Sequence, residues 1–298
     1  MRILVTGGSG FIGRSLVPCL LKQPENNVTI MRLETESGRP FPPPLAGLRD
    51  QFDVVYADLR NFNLTVRAVR QSRPDAVIHL AVAGATDPFL PVDTAVRHNI
   101  TGTTNLLRAC FEKTDTARQL IVARTPGELT AMNVYAASKA AAWSFCQMYG
   151  RTQNWPIHGA MIFQAYGPYQ PPNTLVQSAI TAALAGQDFP MTAGSQKRDW
   201  IYVEDVATGF AAVLGAELPP GTTVELGTGQ LTSVANVVQQ IYALVNRGGQ
   251  PQIGVLPARP GEEAVQVADV ARTKALVGWE TAVALQTGLT RLIAQISP

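Results

Sequence analysis

An apolar run, Ile3-Leu4-Val5, leads into Thr6-Gly7-Gly8-Ser9-Gly10-Phe11-Ile12-Gly13, and Leu16, Val17, Leu20 and Leu21 follow at helical spacing. Strand, tight turn and helix in this order commit the start of the chain to a βα unit. Gly7 permits the turn, Gly10 lets backbone approach a pyrophosphate, and Gly13 lets helix and strand pack closely. The first N–H groups of the helix and the positive end of its dipole then face the phosphates. A glycine triplet alone is a weak signal. Between a strand and a helix, at the start of a chain, it points to a bound dinucleotide. Its spacing here is G-x-x-G-x-x-G rather than the common G-x-G-x-x-G.

The 298 residues suffice for one large α/β domain, or for a nucleotide domain with a smaller lobe, and 46% hydrophobic with 15% charged residues fits a globular enzyme. A net charge of +2 without a Lys/Arg run gives no reason to expect nucleic acid as a partner. No apolar stretch reaches the roughly 18–20 residues of a membrane helix. The first strand runs straight into glycine, which leaves no room for a signal-peptide core. A cytoplasmic protein with no membrane partner is expected. Cys19, Cys110 and Cys146, odd in number and widely spaced, read as buried free thiols of a reducing compartment. His79, His98 and His158 lie far apart without patterned partners, so no metal is expected.

The form Thr-Gly-Gly-x-Gly-Phe-Ile-Gly resembles the extended short-chain dehydrogenase/reductase family, of the NAD-dependent epimerase/dehydratase type, whose members mostly act on nucleotide sugars. The resemblance makes Gly7, Gly10, Phe11, Ile12 and Gly13 the cofactor loop. The second strand, Val28-Thr29-Ile30-Met31-Arg32, ends on a cation where NAD-preferring members carry an acid. Arg32 is suited to pair with a 2′-phosphate, so NADP(H) is favoured over NAD(H). Glu34, two residues on, would reverse that preference after a small register error, and Arg32 as a solvated loop residue would carry none. Phe41-Pro42-Pro43-Pro44 reads as a stiff surface connection. Asp58, with Leu59, ends the strand Asp53-Val54-Val55-Tyr56-Ala57; it is either the family's adenine contact or a helix N-cap. Pro74-Asp75-Ala76-Val77-Ile78-His79-Leu80-Ala81 reads as a buried parallel strand, and the resemblance puts Leu80 and Ala81 against the dinucleotide, with His79 structural.

Asn99-Ile100-Thr101-Gly102-Thr103 resembles the family's Asn-x-x-Gly-Thr segment, whose Asn steadies a helix beside the active site. Tyr135 and Lys139, in Tyr-Ala-Ala-Ser-Lys, share a helix face at i and i+4. The ammonium is expected to lower the phenol pKa and to make Tyr135 a general acid/base. Lys139 would also hold a cofactor ribose hydroxyl. Thr125 matches the family's catalytic Ser or Thr at the end of strand Gln119-Leu120-Ile121-Val122-Ala123, and Thr130 is a fallback. Two departures stand out. Arg124-Thr125-Pro126 replaces the usual run of hydroxyl residues, and Tyr135 follows Thr125 after ten residues, where the family has roughly two dozen. That trimmed loop resembles the 4-ketoreductases that finish deoxysugars.

Ile162-Phe163-Gln164-Ala165-Tyr166-Gly167-Pro168 resembles the family's segment entering the substrate lobe, with Met161 in place of an Arg and Gln164 in place of an Asn that touches the sugar nucleotide. Arg198-Asp199-Trp200-Ile201-Tyr202-Val203-Glu204-Asp205 matches the block in which a cation nears the nucleotide diphosphate. Arg198 either binds phosphate or pairs with a carboxylate, and Asp199 is structural. Glu225-Leu226-Gly227-Thr228-Gly229, Pro260-Gly261-Glu262 with Ala268-Asp269-Val270, and a packing Trp279 continue the match to about Leu292.

The expected fold is α/β, a doubly wound parallel Rossmann sheet with a smaller C-terminal substrate lobe. The dinucleotide domain would span 1–165, with 198–216 packing back onto it, and the lobe mainly 166–197 and 217–298. The leading function is NADPH-dependent reduction of a nucleotide-linked 4-keto-6-deoxysugar, with hydride from nicotinamide and the proton from Tyr135. The alternative is an NAD-dependent nucleotide-sugar epimerase or dehydratase. Pro126-Gly127 stands where dehydratases carry an acidic pair, although Glu128 is close. A non-catalytic dinucleotide sensor is a reading of another class. A homodimer through the helices after Asn99 and Tyr135 is expected, with Trp143, Phe145 and Met148 of Ala140–Met148 either forming its apolar surface or facing the chain's own core.

Overall fold

A computed structural model describes residues 1–85, 87, 89–257, 261 and 263–297. In chain order the elements are β1 (Arg2–Thr6), α1 (Gly13–Leu21), β2 (Asn27–Arg32), β3 (Phe52–Tyr56), α2 (Phe62–Ser72), β4 (Ala76–His79), α3 (Val92–Ala95), α4 (Gly102–Phe111), β5 (Gln119–Arg124), α5 (Val134–Gln153) and β6 (Ile157–Ile162). They continue as β7 (Gln164–Tyr166), α6 (Leu175–Leu184), β8 (Phe189–Met191), β9 (Lys197–Tyr202), α7 (Val203–Gly215), β10 (Thr223–Leu226), β11 (Leu231–Ser233), α8 (Val234–Val245), β12 (Pro251–Ile253), β13 (Val265–Gln266), α9 (Val270–Val277) and α10 (Leu285–Ile296).

Seven strands form one all-parallel sheet in the order β10-β6-β5-β4-β1-β2-β3. The alternation of a strand decides which face each side chain covers. Ile3 and Val5 join Leu16, Leu20, Val206 and Phe210 in the core under α1 and α7. Leu4, between them, joins Val66, Leu106, Trp143 and Cys146 in the core under α2, α4 and α5. Both faces are covered, which is why these strands read as unbroken apolar runs. The chain order reverses between β1 and β4, and the crevice at their carboxyl ends is where such sheets bind ligands.

The lobe has its own core, in which Tyr166, Ile180, Trp200, Val238 and Leu289 pack between α6, α8 and α10. Strand β9 organises it: Lys197–Asp199 pairs with β11, Lys197 and Arg198 pair with β13, and Trp200–Tyr202 pairs with β7. Strand β10 corrects the expected boundary. Residues 223–226, assigned to the lobe from the sequence, extend the large sheet by pairing with β6. The two readings of Ala140–Met148 divide by residue: Trp143 is buried in the core beside α4, whereas Phe145 of the same helix is exposed. Trp279 donates to the Thr208 hydroxyl at 3.0 Å and packs on α7. The three cysteines are free, Cys110 and Cys146 buried and Cys19 half-buried. Pro260 and Glu262 lie outside the described residues. Among the described residues, no helix is long and apolar enough to cross a membrane, and no group of three or more His, Cys, Asp or Glu could hold a metal ion.

Candidate active site

The carboxyl ends of β1, β4 and β5 open into a cleft of about 1180 Å³ that runs on into the lobe. At its floor Gly7 has φ +71°, and a Cβ there would lie 2.6 Å from the Ala81 nitrogen. A Cβ on Gly13 would lie 2.3 Å from the Gly8 carbonyl oxygen. Only hydrogen fits either place. The helix that follows, α1, has no side-chain cap and no acid in its first turn. A close-packed glycine turn under an uncapped helix N-terminus is a fitting seat for a pyrophosphate. Gly7, Gly10, Phe11, Ile12 and Gly13 all line the cleft, as do Leu59, Leu80 and Ala81. Ser9, Asn173 and Thr174, which the sequence reading did not select, line it too. So does Gln170, whose side-chain nitrogen is tied to the Ala165 carbonyl while its buried oxygen has no partner among the described residues. No periodicity marks such loop positions, and only their polarity beside Gly167-Pro168 could have suggested them.

Arg32 lines the cleft but is already engaged. Its Nε donates to Glu36 at 3.2 Å, its Nη1 donates to the Arg39 carbonyl at 3.0 Å, and its guanidinium stacks on Phe41 at 4.3 Å. The solvated-loop reading is therefore wrong, and the donors expected to meet a 2′-phosphate are turned to protein groups. Glu34 starts a short 3-10 turn, and it is Glu36 of that turn that reaches the cleft. Asp58 lines the cleft as well, yet it does not cap α2; Asn61 does, accepting from the Leu64 nitrogen. Asp58 instead takes both Nε and Nη2 of Arg60, and those hydrogen bonds hold its carboxyl below the usual carboxylate range.

His79 is structural. The Thr103 hydroxyl gives its proton to the Asn99 carbonyl at 2.6 Å, so its oxygen accepts from His79 Nε2 at 2.9 Å, and His79 Nδ1 accepts from Thr6 at 2.7 Å. Burial first, then the Lys139 ammonium, pushes this imidazole down to about 3 and keeps it neutral. Asn99 sits in a π-helical turn, Val96–Thr101, which brings its side chain inward. Its amide nitrogen donates to the Ala83 carbonyl at 3.1 Å and to Ser138 Oγ at 2.9 Å, and its oxygen accepts from the Ala83 nitrogen at 2.8 Å. The loop after β4 is thereby joined to α5.

Asn133 caps α5 by accepting from the Ala136 nitrogen, which sets Tyr135 in the first turn and Lys139 one turn later. Tyr135, Lys139 and Thr125 all line the cleft. The Lys139 ammonium donates to the Ala123 carbonyl at the end of β5, and burial lowers its pKa. The expected depression of the Tyr135 pKa is not what the fold produces. Burial and, after it, the Glu128 carboxylate raise the phenol well above its ordinary value. Thr125 caps the 3-10 turn Pro126–Leu129: its side chain accepts from the Glu128 nitrogen, and Glu128 accepts from the Thr125 nitrogen at 3.0 Å. The other Glu128 oxygen accepts from Arg124 Nε at 2.8 Å. Glu128 is buried behind the cleft wall and is not part of its lining. Thr130 turns away and donates to Glu263 instead.

Toward the lobe the cleft is lined by Gln164, which is exposed, and by the buried Arg198, whose Nη1 donates to the Lys197 carbonyl at 3.0 Å. Asp199 is wholly buried and accepts from the Thr228 nitrogen and hydroxyl and from the Gly229 and Ala268 nitrogens.

The sequence profile of the NAD dependent epimerase/dehydratase family matches residues 3–227. A dTDP-glucose 4,6-dehydratase of Xanthomonas campestris pv. campestris is 29% identical, over 96% of this chain and 90% of its own. The Bacillus subtilis protein YtcB, described as an uncharacterized UDP-glucose epimerase, is 30% identical over 100% of this chain and 98% of its own. Among solved structures, a Thermus thermophilus UDP-glucose 4-epimerase in complex with NAD superposes with a TM-score of 0.82 at 27% identity, covering 99% of this chain and 98% of that one.

Proposed function

This chain belongs to the NAD dependent epimerase/dehydratase family, and from that premise we propose that it is an enzyme that reduces the 4-keto group of a nucleotide-linked 6-deoxysugar with NAD(P)H. The observation that carries this reading is the meeting of Thr125, Tyr135 and Lys139 on one cleft lining, with Glu128 withdrawn behind it. A hydroxyl, a phenol and an ammonium are what hydride exchange at a single carbinol carbon needs. Elimination of water needs an additional acid/base pair, and the carboxylate nearest to Thr125 is spent on Arg124 and the Thr125 amide.

When bound, the dinucleotide supplies the hydride and, once oxidised, a cationic ring. The glycine turn and the α1 N-terminus hold its pyrophosphate, and Leu80 and Ala81 line the wall beside it. Tyr135 Oη carries the proton that the ketone oxygen takes up, and the raised pKa keeps that proton in place until it is needed. Thr125 donates to the same oxygen and fixes its direction. Lys139 binds a ribose hydroxyl and steadies the phenolate that Tyr135 leaves behind. Asn99 touches neither reactant: it holds α5 through Ser138, whose hydroxyl donates to the Tyr135 carbonyl at 2.7 Å. Gln164 and Arg198 meet the sugar nucleotide. A purely sensing protein would have no use for this assembly.

NAD-dependent 4-epimerisation is the second reading. The engagement of Arg32 by Glu36, the Arg39 carbonyl and Phe41 favours it, since it weakens the case for NADP(H). Pairing of two copies through α4 and α5, with Phe145 outward, accompanies either reading. Stoichiometric oxidation of NADPH or NADH on a dTDP-4-keto-6-deoxyhexose is expected. Turnover without net oxidation points to the epimerase. Tyr135→Phe should lower kcat by about 10²–10⁴ while cofactor Kd stays within about twofold. Undiminished turnover in that variant removes both readings.

A further inference from the structure

The shortened connection between β5 and α5 is closed by an ion pair that ordinary stability arguments do not explain. Glu128 and Arg124 leave only 1% and 9% of their side chains exposed. Removing two charges from water costs about what their attraction returns, so a buried pair adds little to stability. This pair is also tied down on every side. Arg124 donates from Nε to Glu128 at 2.8 Å and from Nη1 to the Thr223 hydroxyl on β10 at 2.8 Å, and it stacks on Trp143 of α5 at 4.4 Å. The second oxygen of Glu128 accepts from the Thr125 nitrogen at 3.0 Å.

Two consequences reach the cleft. The Thr125 side-chain oxygen accepts from the Glu128 N–H. With one lone pair taken on the protein side, the hydroxyl proton is free to be given to a ligand oxygen. The turn that carries the carboxylate packs on the first turn of α5, where a Cβ on Gly127 would lie 3.4 Å from the Ala136 Cβ. Lys139 of that helix reaches the Ala123 carbonyl beside Arg124, so the charge holds the phenol up after the effect of burial and favours the ammonium against it. The other titratable and charged groups facing this pair are Arg124 from β5, Cys146 farther along α5 and His79 from β4. Neither Cys146 nor His79 contributes charge, because burial raises the thiol to about 12 and lowers the imidazole to about 3.

We propose that Glu128 is a positioning residue of this site: its backbone N–H and its buried carboxylate clasp Thr125 from both sides and leave the Thr125 hydroxyl as a donor, and the carboxylate supplies the fixed negative charge against which Tyr135 and Lys139 work. The inference rests on the function proposed above and adds to it a residue that the reaction does not touch. The trimmed loop gains by it a capped 3-10 turn, Pro126–Leu129, in place of a run of hydroxyl residues.

The test uses the full chain saturated with NAD and labelled with ¹³Cζ-tyrosine, Tyr135 being identified by loss of its signal in Tyr135→Phe. Its resonance is followed from pH 6 to 10.5 in the wild type, in Glu128→Gln and in Arg124→Gln/Glu128→Gln, which leaves no unpaired buried charge. In both variants the ionisation of Tyr135 should begin about one pH unit lower than in the wild type, read as the onset of the signal's shift where the midpoint lies above the range. An onset unmoved in variants that keep the wild-type circular dichroism overturns the proposal. Failure of both variants to fold overturns it as well, by making Glu128 a stability residue alone. Full turnover by Tyr135→Phe would instead strike the function proposed above and leave the titration result standing.

Discussion

Asp199 concentrates more hydrogen bonding than Thr125, Tyr135 or Lys139, although it is not part of the cleft lining. Its two oxygens gather three backbone N–H groups and a hydroxyl from the turn after β10 and the approach to α9. Asp199→Ala would strand the buried nitrogen of Ala268 and unpair the half-buried Thr228, while the exposed Gly229 can turn to water. An unsatisfied buried donor costs about 1–3 kcal/mol, so a loss of at least about 1 kcal/mol is expected in urea unfolding, with Asp199→Asn recovering part of it. Residues of this kind divide by how local their partners are. Tyr135 and Lys139 were legible because a helix turn fixes their relation whatever surrounds it. Thr125 was picked through the family resemblance, and it stands just past the end of β5 as the cap of the next turn. Arg32 was misread because its partners, Glu36, Arg39 and Phe41, come from an irregular segment that no periodicity describes. The Tyr135 pKa was misjudged because the helix spacing of Lys139 was considered, while the burial of the phenol and, after it, the Glu128 carboxylate come from packing that the spacing does not show.

At the scale of elements, the first βα unit bears the tightest constraint. Gly13 lies so close to the Gly8 carbonyl that a methyl group would have to move helix α1 off the turn. Gly13→Ala should therefore weaken cofactor binding by at least about tenfold in a fluorescence titration, a cost of about 1.4 kcal/mol, and lower the melting temperature of the unliganded protein. A merely flexible loop would tolerate the change. Strand β6, interrupted by His158 and Gly159, was not read, whereas the sheet strands from β1 to β5 were readable as apolar runs bounded by turns. Strand β10 was not: it is an edge strand with alternating burial, paired on one side only, and its sequence suits the small lobe equally well. The π-helical turn holding Asn99 left no trace in the residue pattern, because Val96–Thr101 reads as ordinary helix.

At the scale of the whole molecule, the buried neutral histidine joins the two layers that meet at the cleft. His79 links Thr6 on β1 to Thr103 on α4 and has its pKa pushed down to about 3. A base whose folded pKa is lowered binds its proton only after unfolding, so acid favours the unfolded chain. Stability should hold above pH 6.5 and decline as pH falls from there toward 3, by at most about 1.4 kcal/mol per unit for one proton. His79→Gln should flatten that slope when urea midpoints are compared at pH 7, 5.5 and 4.5, and an unchanged slope would clear His79 of the effect.

Strand β9 serves three neighbours in the lobe and runs without a break into α7, whose Val206, Phe210 and Val213 close the core over α1. The stretch that organises the lobe is thus continuous with the helix that roofs the large sheet. Shuffling this protein with a relative by a single crossover near residue 165 would hand one parent's roof to the other parent's sheet. Chimeras that trade substrate preference should respect a different seam, exchanging the segment before β9 and the segment after β10 while β9, α7 and β10 stay with the domain they cover.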